Sequence, residues 1–81
     1  MKARITVTLK AGVLDPQGQA IEAALGGLGI DEVQAVRQGK LFDILLAETD
    51  ETKAREKLQL MCEKLLANLV IENYQISLLP H

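Results

Sequence analysis

The sequence predicts an α+β domain of order βαββαβ, a four-stranded antiparallel sheet with two helices on one face. Three observations predict it. Residues 2–9 alternate between apolar and polar side chains. Two later segments repeat apolar residues at helical spacing, each behind an acidic residue placed to begin a helix. Three further stretches, 33–37, 41–48 and 70–79, read as strands.

The first strand places Ala3, Ile5, Val7 and Leu9 on one face and Arg4, Thr6 and Thr8 on the other, the pattern of a half-buried strand. Gly12 breaks it. Asp15 is placed to cap the first helix, with Pro16 at its first position, where a missing N–H costs nothing. Ile21, Ala24, Leu25 and Leu28 form that helix's apolar side. Gly26 and Gly27 weaken its far end, and Gly29 is its expected stop.

Val33 to Arg37 then read as the second strand, and Gln38-Gly39 as a hairpin turn into the third, Leu41 to Glu48. Asp50 and Glu51 put negative charge at the start of a second helix, where its dipole favours it. Ala54, Leu58, Met61, Cys62 and Leu65 form the buried stripe of that helix. Asn68 is placed to end it. The last strand aligns Tyr74, Ile76 and Leu78 on one face. The whole, residues 1–81, is a single domain related to ferredoxin-like folds. Leu41, Leu45 and Ala47 on the open sheet face, with Ile71, point to assembly as a dimer or higher oligomer.

Composition narrows the function. A net charge of −2 and only two aromatic residues, Phe42 and Tyr74, argue against nucleic-acid binding. No apolar run is long enough to cross a bilayer, and the start alternates where a signal peptide would be continuously apolar. The expected location is the cytoplasm. The single cysteine, Cys62, excludes an intrachain disulfide and sits in a core stripe.

No catalytic or metal-binding residues are expected. The one histidine is the terminal residue, His81, read as a solvated end, and the one serine, Ser77, lies mid-strand. One Cys and one His cannot build a zinc site in one chain. Gly26-Gly27-x-Gly29 follows a helix and lacks the Lys-Ser/Thr of a phosphate loop. Glu56, Gln59 and Glu63 read as a solvated helix face. Arg37 and Lys40 flank the expected hairpin tip, and Leu60 points away from the core stripe.

Four segments stand out together: Leu9 to Gly18, Val36 to Lys40, Cys62 to Asn68, and Val70-Ile71-Glu72 with Tyr74. As a set they resemble the PurS family, the small subunit of bacterial and archaeal phosphoribosylformylglycinamidine synthase. Leu69 departs from the pattern, since many relatives carry Pro after the Asn. The resemblance implies a non-catalytic subunit of a C–N ligase complex in purine biosynthesis. That complex uses ATP, Mg and glutamine, and converts formylglycinamide ribonucleotide to formylglycinamidine ribonucleotide. This chain would bind no cofactor itself. It would pair with itself and bridge the glutaminase and synthetase subunits, assisting ammonia transfer between them.

The polar positions inside the family-like segments, Lys10, Asp15, Gln17, Arg37 and Lys40, are the candidate partner contacts, with Leu60 added for its exposure. For Asp15 the helix cap is the simpler role. Two other readings of the same topology are a small-molecule-sensing regulatory module and an acylphosphatase-like hydrolase. The second is weakened by Lys10-Ala11-Gly12, which lacks a Gly-rich, Arg-bearing loop.

Overall fold

The computed structural model describes residues 1–79, so His81 lies outside the described residues. The elements are β1 (Lys2–Leu9), α1 (Pro16–Gly27), β2 (Gly39–Leu45), α2 (Glu51–Met61) and β3 (Glu72–Leu79). A π-helical turn, Cys62–Leu66, follows α2 directly. The sheet has three strands in the order β2-β1-β3, both pairings antiparallel. An α+β chain with two helices and an antiparallel sheet is therefore correct, but the sheet lacks the expected fourth strand.

Alternation in β1 decides which sheet face is buried. Ala3, Ile5 and Val7 are almost fully buried, while Lys2, Arg4 and Thr8 are exposed. Register then carries the same face outward: Ile5 lies opposite Phe42 on one side and Ile76 on the other. The α2 stripe of Ala54, Leu58 and Cys62 is buried, and Leu58 and Cys62 close this face of the sheet. Asp50 begins α2, its Oδ1 accepting the Lys53 N–H at 3.0 Å.

Three expectations fail for identifiable reasons. Leu65 belongs by 3.6-residue spacing to the buried stripe, yet it is 82% exposed. The π-helical turn explains this. The Ala67 N–H donates to the Cys62 carbonyl, five residues back, so the stripe advances by one residue. Leu66 and Ala67 turn inward and Leu65 turns out.

The second failure is the strand expected at Val33–Arg37 and the hairpin expected at Gln38-Gly39. That segment joins no sheet. Gly39 is instead the first residue of β2, opposite Thr8, and β2 pairs only with β1 among the described residues. Nor do two helices cover one face. α2 does, but α1 has no substantial packing on α2 or any strand among the described residues. Its Ile21 and Leu28 are exposed, and Leu25 is only half-buried. Residues 16–36 thus form an arm: a helix running out from the sheet and a chain running back. The consequence is an elongated molecule of 49 × 29 × 14 Å with a radius of gyration of 16.1 Å. A compact chain of this length has a radius of gyration of about 12 Å.

The placement of the core makes a contrast measurable by urea denaturation. Leu58→Ala, at a fully buried site, should cost about 2–5 kcal/mol. Leu65→Ala, nominally in the same stripe, should change stability by less than about 0.5 kcal/mol.

Candidate functional site

The junction between β1 and α1 is built around one carboxylate. Asp15 is 95% buried by the chain around it, at 5% exposure. Its Oδ1 accepts the Gly18 N–H at 2.8 Å and so caps α1. Its Oδ2 accepts the Gln38 N–H at 2.7 Å, from a segment 23 residues away. These two bonds, with the Arg37 charge nearby, hold the Asp15 carboxyl below the usual carboxylate range.

Arg37 completes the junction. Its Nη1 donates to the Val13 carbonyl at 2.7 Å and its Nη2 to the Lys10 carbonyl at 3.1 Å. The planar guanidinium suits two acceptors on one loop, as a lysine ammonium would not. Two glycines permit the approach. A Cβ on Gly18 would overlap the Val36 carbonyl oxygen, and one on Gly39 would lie 2.7 Å from the Val7 carbonyl oxygen. Gly12, at φ +85°, makes the bend after β1 that other residues rarely adopt.

Beside this junction lies an open groove of about 470 Å³. Val7, Leu9 and Pro16 give it an apolar floor, and Asp15, Gln17, Gln38, Lys40 and Glu72 its polar groups. Lys10 lies nearby on a second hollow that shares Glu72 with the groove. The structure therefore gathers Lys10, Asp15, Gln17, Arg37 and Lys40 at one end of the sheet. It divides their work: Asp15 and Arg37 spend their polar atoms within the chain, whereas Gln17 and the Lys40 ammonium face solvent. Leu60 stands apart, exposed on α2 and outside the groove lining.

Glu72 is the residue that sequence reasoning missed. It is buried, accepts the Asn68 N–H at 2.7 Å, and lies 3.6 Å from the Lys40 ammonium. The signal was present: Glu72 continues the alternation of Tyr74, Ile76 and Leu78 on the covered face of β3. Asn68 closes the turn before β3 by accepting the Val70 N–H, so the turn forms without a proline at position 69.

The chemistry available here is limited. Asp15 and Glu72 are the only carboxylates in the groove, and no metal-binding group of three ligands exists among the described residues. Cys62 is fully buried, and that burial pushes its thiol up, away from the reactive thiolate. Ser77 lies exposed in mid-strand on the open face. The groove presents shape, amides and one largely exposed cation, Lys40, paired on one side with Glu72. Such groups can make contacts by shape and hydrogen bonding.

Comparison with known proteins identifies the company this chain keeps. A family model described as PurS, phosphoribosylformylglycinamidine (FGAM) synthase, matches residues 2–80. The chain is 51% identical over 71 residues to the phosphoribosylformylglycinamidine synthase subunit PurS of Synechocystis sp., covering 88% of this chain and 71% of that one. Its fold superposes on the crystal structure of Methanocaldococcus jannaschii PurS with a TM-score of 0.85 and 45% identity, covering 94% of this chain and 92% of that one. That protein is described as one of the subunits of formylglycinamide ribonucleotide amidotransferase in the purine biosynthetic pathway. A chain of PurLQS from Thermotoga maritima matches with a TM-score of 0.85 and 33% identity, over 94% of this chain and 93% of that one.

The junction predicts two measurable effects. Gly18→Ala should destabilise the protein by at least about 1–3 kcal/mol, because the added methyl meets backbone and not a movable side chain. Stability should also fall in acid. Asp15, Asp43 and Glu48 all have lowered pKa values. The folded state therefore binds fewer protons than the unfolded one, so their contribution is complete only above about pH 5 and is lost as pH falls through the lower folded values. Asp15→Asn should lower the urea midpoint at pH 7 and flatten its decline below pH 4.

Proposed function

The chain belongs to the PurS family of phosphoribosylformylglycinamidine synthase subunits, and from that premise we propose that it is the non-catalytic bridging subunit of the complex. In this reading it holds the glutaminase and the ATP-dependent synthetase together in the cytoplasm and assists ammonia transfer between them. ATP, Mg and glutamine are used by the partners, and this chain binds none of them.

The observation that carries the reading is the shape of the chain. A radius of gyration of 16.1 Å means that much of its apolar surface faces outward. Ile21, Leu28 and Ile30 lie uncovered on the arm, while Phe42 and Ile44 are only half-covered on the sheet. Such a chain gains stability from association. We therefore pair it with a second copy, the arm of each covering what the other leaves open. The physical logic of the complex agrees. Free ammonia in neutral water would mostly protonate and lose its nucleophilic lone pair. Two active sites must then be held in register with the path closed, which requires surfaces and not a nucleophile.

The partner contacts follow from the division of labour in the groove. Gln17, Lys40 and the side chain of Lys10 are placed to meet a partner, with Leu60 as a separate outlying contact. Asp15, buried, and Arg37, exposed, hold the junction beside that surface.

Co-purification with the glutaminase and synthetase of the same cell, with glutamine and ADP present, tests the bridging role. Omitting this chain should abolish glutamine-driven turnover by the synthetase while leaving ammonium-driven turnover. Equal loss of both rates, or of neither, refutes a bridge. Lys40→Ala should weaken assembly by about two- to tenfold and reduce its salt dependence, as loss of a rim charge does, measured by analytical ultracentrifugation.

A further inference from the structure

The arm is joined to the sheet by two chain crossings, and both pass through the Asp15 junction. The outgoing crossing is Lys10 to Pro16, and the returning one is Val36 to Gly39. Asp15 binds the Gln38 N–H of the returning chain, and Arg37 of the returning chain binds the Lys10 and Val13 carbonyls of the outgoing one. These reciprocal bonds span 23 to 27 residues and lie at the arm's base. Beyond them α1 has no substantial packing on the sheet or on α2 among the described residues. Among the described residues, these bonds, the bend at Gly12 and the close approach of Gly18 to the Val36 carbonyl set the angle of the arm.

The alternative direction is open to the same sequence. α1 carries an apolar side, and the sheet has half-covered apolar residues on the face where a ferredoxin-like helix would lie. Folding back would bury both within one chain. Such a closed monomer would compete directly with pairing, as in any exchange of an element between copies.

We propose that Asp15 and Arg37 form a latch that holds residues 16–36 off the chain's own sheet and so presents the arm to a second copy. This rests on the pairing proposed above. It makes both residues positioning residues for assembly, acting through the backbone groups they hold. Arg37→Ala is the cleaner probe, because Arg37 is exposed and its loss leaves the α1 cap and the core untouched. Asp15→Asn keeps one carbonyl acceptor for the cap and sets an amide against the Gln38 N–H.

The test reads direction and association separately. Spin labels on Gly27→Cys at the arm tip and Ser77→Cys on the sheet report the intrachain distance, with labelled chain diluted into excess unlabelled protein. A Cβ at Gly27 meets nothing within 4 Å, Ser77 is exposed, and Cys62 is too buried to take label. The wild-type chain should give one narrow distance distribution. Arg37→Ala and Asp15→Asn should broaden it toward shorter distances while far-UV circular dichroism keeps its form. If the arm then points outward only about a tenth of the time, the dissociation constant for self-association rises about a hundredfold, because both copies must present their arms.

Identical distance distributions in wild type and both variants overturn the latch. Altered distributions with an unchanged dissociation constant overturn its role in presenting the arm. A wild-type chain that never self-associates refutes the pairing itself and the presenting role with it, while the distance comparison still decides the latch.

Discussion

A single buried carboxylate holds this molecule in its shape. Asp15 has two oxygens and gives one to each of two tasks: starting α1 and catching the chain that returns from it. Because both acceptors are used, a buried charge that would otherwise be costly is satisfied by backbone N–H groups. Arg37 answers from the other side by donating to two carbonyls. The glycines at 18 and 39 let the backbones come close enough for these bonds to form. Remove the carboxylate, and the helix loses its cap while the arm loses its base.

The core explains why so much rests on one junction. Among the described residues, only one face of a three-stranded sheet is covered, by one helix and its π-helical extension. The buried set is small: Ala3, Ile5, Val7, Ala54, Leu58, Cys62 and Ala67. A core of this size stabilises the sheet and α2, but contributes nothing to the arm. Among the described residues the arm is held by polar bonds at its base. Small domains that leave apolar surface open commonly reach full stability in assemblies.

The family assignment and the geometry agree on a division of roles. The chemistry of a ligase that consumes ATP and glutamine needs nucleophiles, metal ligands and phosphate-binding loops. This chain offers a buried thiol, an exposed mid-strand serine, and a groove whose charges are mostly paired. It offers surfaces in abundance. The polar positions picked out by sequence cluster at one end of the sheet because β1, β2 and β3 all begin or end there. That clustering was unforeseen in detail, since Lys40 was expected at a hairpin tip and is instead the second residue of β2.

Period and punctuation were legible in the chain itself. Strict alternation gave β1 at its true bounds, since one face of a strand must meet apolar surface and the other water. Asp15 with Pro16 and Asp50 with Glu51 marked both helix starts, because orphan N–H groups call for a nearby oxygen. Three of the family-like segments carry the polar residues that the fold gathers at one end of the sheet. Three facts depended on tertiary structure: the loss of a strand at Val33–Arg37, the outward swing of α1, and the rotation of Leu65 to solvent. Each is set by which backbone group wins a partner far along the chain or at an altered helical turn. Gln38 could have donated across a hairpin, and it donates to Asp15 instead. Local pattern states what a segment can pair with, whereas only the folded chain decides among distant acceptors competing for the same N–H.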